Sequence, residues 1–71
     1  MPTHLNPPAH CDICKQPIRG GFSDAAITIG QRRIWANLCP LCAIDLGARY
    51  GTGQGQRYEK DLNGQFHKVE G

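Results

Sequence analysis

Two short stretches, Cys11-Asp12-Ile13-Cys14 and Cys39-Pro40-Leu41-Cys42, hold all four cysteines of the chain and decide its fold. Two residues between thiols let both sulfurs turn towards one centre while backbone amides of the tight loop steady them. Two such pairs offer four anionic sulfur donors, the set that a tetrahedral zinc ion favours. A site closed by Cys11, Cys14, Cys39 and Cys42 leaves no coordination position for a substrate. The spacing therefore predicts one Zn2+ ion in a structural role, with no catalytic residues.

The rest of the composition makes such a staple necessary. Seventy-one residues, 39% hydrophobic and only 7% aromatic, make one domain with a small core that is marginal on apolar burial alone. A structural zinc ion contributes roughly 10–16 kcal/mol of apparent binding free energy in finger peptides near neutral pH, so the metal-free chain is expected to be largely unfolded. Four cysteines in a short chain also fit two disulfides in a secreted protein. Residues 1–10 carry no apolar run behind a basic start, and no stretch is long enough to span a membrane, so a reducing, cytoplasmic setting is expected. The formal charge of +2 gives little support to nucleic-acid binding, because four thiolates and one dication lower it to about zero.

Outward from the cysteines, residues 1–10 read as a flexible N-terminal tail, since Pro2, Pro7 and Pro8 remove amide donors. His4 and His10 lie near the first cysteine pair but are not needed as ligands, and are read as solvated. After that pair comes Lys15, where the treble-clef knuckles that Cys11 to Ile18 resembles usually carry a glycine, at a turn that often wants positive φ. Residues 24–38 read as a β-hairpin, with Gly30-Gln31 as a two-residue turn. That register pairs Ile29 with Arg32, Ile27 with Ile34 and Ala25 with Ala36. The apolar members then share one face, and Thr28, Arg33, Trp35 and Asn37 take the other.

A helix is expected next, with Cys39 as N-cap and Pro40 at its first position, ending at Gly47 or by Gly51. Leu41, Ile44 and Ala48 recur at helical spacing and are expected to meet the hairpin, with Asp45 and Arg49 paired outside. Residues 51–56, Gly-Thr-Gly-Gln-Gly-Gln, read as a glycine-rich linker, and no Gly-Lys-Ser/Thr follows to make a phosphate loop. In residues 57–71, Asn63-Gly64 suits a two-residue turn that pairs Tyr58 with Val69 and Glu59 with Lys68. A lone hairpin is marginal, so it is expected to dock on the zinc module (residues 11–50) through Tyr58, Leu62 or Phe66.

A knuckle, a hairpin and then a helix that supplies the last two ligands resembles the treble-clef fingers. The expected fold is thus a small zinc-stabilised α+β domain with an added C-terminal β-hairpin. The run Trp35 to Cys42, followed by Gly51 to Tyr58, is similar to small single-zinc proteins of bacteria and phages, a resemblance that implies a fold and brings no known activity. Cys39-Pro40-Leu41-Cys42 also resembles the second loop of rubredoxins, which would imply iron and electron transfer. Ala43 and Lys15 stand where that family has glycine.

Three functions are compatible with these residues. A protein-binding adaptor would use Trp35, with Phe22 nearby, as an anchor. A nucleic-acid module would use Arg32 and Arg33 at the hairpin tip, Arg19, Arg57 and Lys60 as further cations, and Trp35 to stack on a base. An iron-based redox carrier is the third. No Ser-His-Asp or His-Glu arrangement is discernible, and His67 reads as a surface residue. The chain is expected to be a non-enzyme whose main partner is a protein.

Overall fold

A computed structural model of the chain describes residues 3–71. Its centre is a five-stranded antiparallel sheet with one short helix. In chain order the elements are β1 (Thr3–His4), β2 (Gly21–Ile29), β3 (Arg32–Leu38), α1 (Pro40–Asp45), β4 (Gly55–Lys60) and β5 (Phe66–Glu70). Across the sheet the order is β1-β5-β4-β2-β3.

The hairpin β2–β3 has the register expected from its apolar pattern, with Ala25 opposite Ala36, Ile27 opposite Ile34 and Ile29 opposite Arg32. Gly30 takes φ 61 at the turn. Ala25, Ile27, Ala36 and Leu38 are buried on one face and meet Ala43 of α1. A one-residue slip would turn this whole set to the opposite face, so burial pins the register.

β2 is not half-buried, as an exposed hairpin strand would be. Six of its first seven residues are buried, because β4 pairs along its other edge from Gly21–Glu59 to Ala25–Gly55. Its second face carries Phe22, stacked on Tyr58 at 5.0 Å between ring centroids and met edge-on by Phe66 at 5.3 Å. The C-terminal hairpin is therefore a continuation of one sheet, joined through backbone bonds as well as through Tyr58 and Phe66. Leu62, also expected to dock, is fully exposed at the turn.

The C-terminal register differs by one residue from the two-residue turn. Tyr58 faces Lys68, Glu59 faces His67 and Lys60 faces Phe66. The reason lies in Asp61, whose carboxylate accepts from the amides of Asn63 (2.8 Å) and Gln65 (2.9 Å). That capping stabilises a type I turn starting at Asp61, and the left-handed Gly64 (φ 82) then closes a three-residue loop.

The glycine-rich stretch is likewise not an open connector. The Gly51 amide donates to the Gly55 carbonyl, and the amides of Gln54 and Gly55 both return to the Gly51 carbonyl, which folds the stretch into a closed turn. Gly55 then opens β4, where an added Cβ would lie 2.6 Å from the Ala25 Cβ and 2.8 Å from the Arg49 carbonyl. Only glycine permits β4 to lie so close to β2. At the other end of the chain, Thr3–His4 of the expected tail pair with β5 as an edge strand. Met1 and Pro2 of that tail lie outside the described residues.

Helix α1 is shorter and rotated relative to expectation. It ends in a Schellman cap, with Gly47 at φ 69 and bonds from Gly47 to Ile44 and from Ala48 to Ala43. With under two turns available, Ala43 faces the sheet, while Cys42, Leu46 and Ala48 pack at its border. Leu41 and Ile44 point outward, 75% and 76% exposed. The Asp45–Arg49 pair has no helix to carry it, because Arg49 lies beyond the cap.

Candidate metal centre

The four cysteines converge at the end of β3, the start of α1 and the knuckle before β2. Their sulfurs all lie within 4.8 Å of one another, and Cys14 Sγ is 3.7 Å from Cys39 Sγ. All four are free thiols, far beyond the roughly 2.05 Å of a covalent sulfur–sulfur bond. A tetrahedron with metal–sulfur distances of about 2.3 Å has edges of about 3.8 Å, so the donor set fits a metal ion of that kind.

Local bonds shape each half. In the knuckle, the Lys15 amide returns to the Cys11 carbonyl at 3.0 Å. Lys15 takes φ 66, the left-handed value the turn requires, and is the only non-glycine residue among those described to do so. Asp12 ties the knuckle to the open edge of β3: its amide donates to the Asn37 carbonyl (2.8 Å) and its carboxylate accepts from the Asn37 amide (2.8 Å). In the second half, Cys39 is the N-cap, and its sulfur accepts from the Cys42 amide at 3.5 Å.

The electrostatics show why a cation belongs here. Burial of Cys11 by itself raises its thiol, but amides of Cys14, Cys39 and Ile13 aimed at the sulfur outweigh it and lower the pKa to about 6. Cys42 goes the other way, pushed up to about 12 by burial and by the neighbouring sulfurs of Cys39, Cys11 and Cys14. Four thiolates so close together cannot all ionise without a positive charge among them. A bound dication removes that conflict.

The other expected site residues do not gather at this centre. Arg32 and Arg33 are exposed at the hairpin tip, and Trp35 is 55% exposed. Phe22, expected as a second anchor, is buried among the aromatics. Arg19 lines a cleft of about 530 Å3 beside the cysteines, together with Pro17, Pro40, Leu41 and Asp45. Arg57 is committed elsewhere, bonded to Glu70 (2.7 Å) and to Glu59.

His4 is neither ligand nor solvated. Its ring meets Phe22 and Tyr58 edge-on at 5.3 and 5.1 Å, and its Nδ1 is buried without a hydrogen-bond partner among the described residues. Sequence reading missed the chain formed by Thr3 Oγ1, His67 and Asp61, in which His67 Nδ1 is 3.1 Å from Thr3 and Nε2 is 2.5 Å from Asp61. These residues are far apart in sequence, and only the β1–β5 pairing brings them together. They pin the edge strand to the last hairpin.

No helix among the described residues is long and apolar enough to cross a membrane. Compared with known proteins, the chain matches no family model, no curated protein and no solved structure.

Proposed function

We propose that this chain is a structural-zinc interaction module of treble-clef type whose helix α1 docks an apolar segment of a protein partner. The zinc reading is supported by the four converging sulfurs and by the succession of knuckle, hairpin and a helix opened by the second cysteine pair. The ion would fix the relative positions of knuckle and helix, with Cys11, Cys14, Cys39 and Cys42 as its ligands and no step of catalysis passing through it.

The single observation that carries the docking reading is the outward pair Leu41 and Ile44. They stand three residues apart on one helical face and are about three-quarters exposed. Leu41 also lines the cleft beside the metal ligands Cys14, Cys39 and Cys42, which Pro17, Pro40, Arg19 and Asp45 share. Apolar anchors surrounded by a polar rim are the pattern of a protein-binding patch.

The test uses zinc-loaded protein and its Leu41→Ser/Ile44→Ser double variant as baits, followed by binding of the purified captured protein in an amide NMR titration. Shifts centred on α1 and loss of binding in the double variant are expected. A partner that the double variant retains would overturn the docking reading. Visible colour and iron in the purified protein would replace the zinc reading with that of an electron carrier.

A further inference from the structure

A second concave surface lies away from the cysteines, next to the start of β4, where β2 runs on paired only with β3. Strand pairing between them stops at Ala25–Gly55, and the last bond runs from the Ala26 amide to the Gln54 carbonyl. Amides of a strand alternate in direction, so that of Thr28, two residues on, projects to the same side beyond the start of β4. The cleft there, of about 430 Å3, is lined by Thr28, Arg33, Arg49 and Gln54, with Ala26 and Leu46 as apolar members of the lining.

Charge is distributed unevenly around it. The ion pairs of the described residues, Arg57 with Glu59 and Glu70 and His67 with Asp61, all lie on β4, β5 and their connecting turn. Arg33 and Arg49 take part in none of them, and no carboxylate lines the cleft. The two guanidiniums come from distant parts of the sequence, one from β3 and one from the loop after α1. Both arginines line one concave site together with a hydroxyl and a carboxamide, and no acidic side chain is among its described lining residues. That is the chemistry of an anion site, and phosphate suits the guanidinium fork best.

Trp35 extends the site. It stands opposite Ala26 in the register, two positions from Arg33 and on the same face of β3, and more than half of it is exposed. Spacing along a strand places Arg33 and Trp35 about 7 Å apart, close to the distance between neighbouring phosphates and bases of an extended single strand.

We propose that this cleft binds single-stranded nucleic acid, with a backbone phosphate between Arg33 and Arg49 and the adjacent base stacked on Trp35. The site is independent of the helix face proposed above for a protein partner, and either can fail without the other. It assigns Arg49 a role, and leaves Arg57 and Arg19 as bystanders.

Trp35 is the only tryptophan, so its emission reports the contact directly. Zinc-loaded protein is titrated with a ten-residue oligothymidylate, with a ten-base-pair duplex and with inorganic phosphate, at about 50 and 150 mM salt. Quenching by the single strand is expected, with affinity about fivefold weaker at the higher salt if two phosphate charges are neutralised. Arg33→Ala and Arg49→Ala are each expected to weaken binding about tenfold, read by anisotropy of a labelled oligonucleotide. Trp35→Ala should do the same without changing the salt dependence. All three side chains are exposed, so circular dichroism should show the folded protein in each case. Arg19→Ala should bind as the parent does. The proposal is overturned by no quenching at the lower salt, by a duplex that binds as tightly, by inorganic phosphate competing at equal concentration, or by Arg19→Ala weakening binding as much as Arg49→Ala.

Discussion

The two ends of the sheet are buried in opposite ways. Around the cysteines, the face carrying Ala25, Ile27, Ala36 and Leu38 is covered by a helix of six residues, which buries only Ala43 against it and brings Cys42 to its border. Around β4 and β5 the other face is the buried one, and it is filled by Phe22, Tyr58, Phe66 and the ring of His4. The first end has too little apolar volume to order a knuckle and a short helix by itself, and relies on four sulfurs. The second holds no ligand of its own, and is built from large rings and a continuous backbone ladder that share β2 with the first. β2 takes part in both, which is why almost every residue in its first half is buried. Two weak cores on opposite faces of one strand can thus act as one cooperative unit.

Metal removal is the strongest way to break this comparison. Chelation is expected to unfold the cysteine end, and the aromatic end with it through β2, as followed by circular dichroism and by the amide signals of Tyr58 and Phe66. Acid should act in the same direction. Protons compete with the metal for the thiolates, so affinity falls as pH falls. In the metal-free chain the lowered Cys11 and the raised Cys42 act on stability in opposite directions, so the acid sensitivity of the loaded protein rests on proton competition for the four sulfurs. Zinc release measured against pH checks this. An aromatic end that keeps its signals after chelation would show two independent halves.

Phe22→Ala is the corresponding test from the other side. It deletes the ring shared by His4, Tyr58 and Phe66, and is expected to cost about 3–5 kcal/mol in the zinc-loaded protein, read by denaturant unfolding. If the two ends are coupled, zinc affinity should fall with it. Unchanged zinc affinity would place the boundary of cooperativity inside β2.

Lys15→Gly gives the smallest effect and sharpens the account of the knuckle. A lysine at φ 66 is strained where glycine is not, so the substitution is expected to stabilise the zinc-loaded protein by about 1 kcal/mol. Loss of stability would mean that the Lys15 side chain contributes more than its backbone costs.

The cysteine spacing and the β2–β3 register were legible because both depend on local rules. Two residues between thiols, Pro40 behind an N-cap and a strict alternation around Gly30 each act within a few positions. Long-range pairing was not legible in the same way. Nothing local in Gly55 announces a close approach to Ala25, and nothing near Thr3 points to His67. The last hairpin slipped by one residue because two signals competed. Asn63-Gly64 favours a two-residue turn, but the Asp61 carboxylate reaches two amides and stabilises a longer one.

The helix shows where periodicity alone misleads. Leu41 and Ile44 have the right spacing for a buried stripe, yet the cap at Gly47 ends the helix before the stripe can be used, and Ala43 is the residue close enough to the sheet. By itself, the sequence determined the four-sulfur donor set, the first hairpin and the start of the helix, since each follows from spacing and short-range sterics. Only the tertiary structure decided which face each end of the sheet buries, which apolar residues remain outside, and that Arg33 and Arg49 share a cleft. Those outcomes depend on which strands pair across long stretches of chain, and pairing is settled by the burial that the whole assembly achieves together.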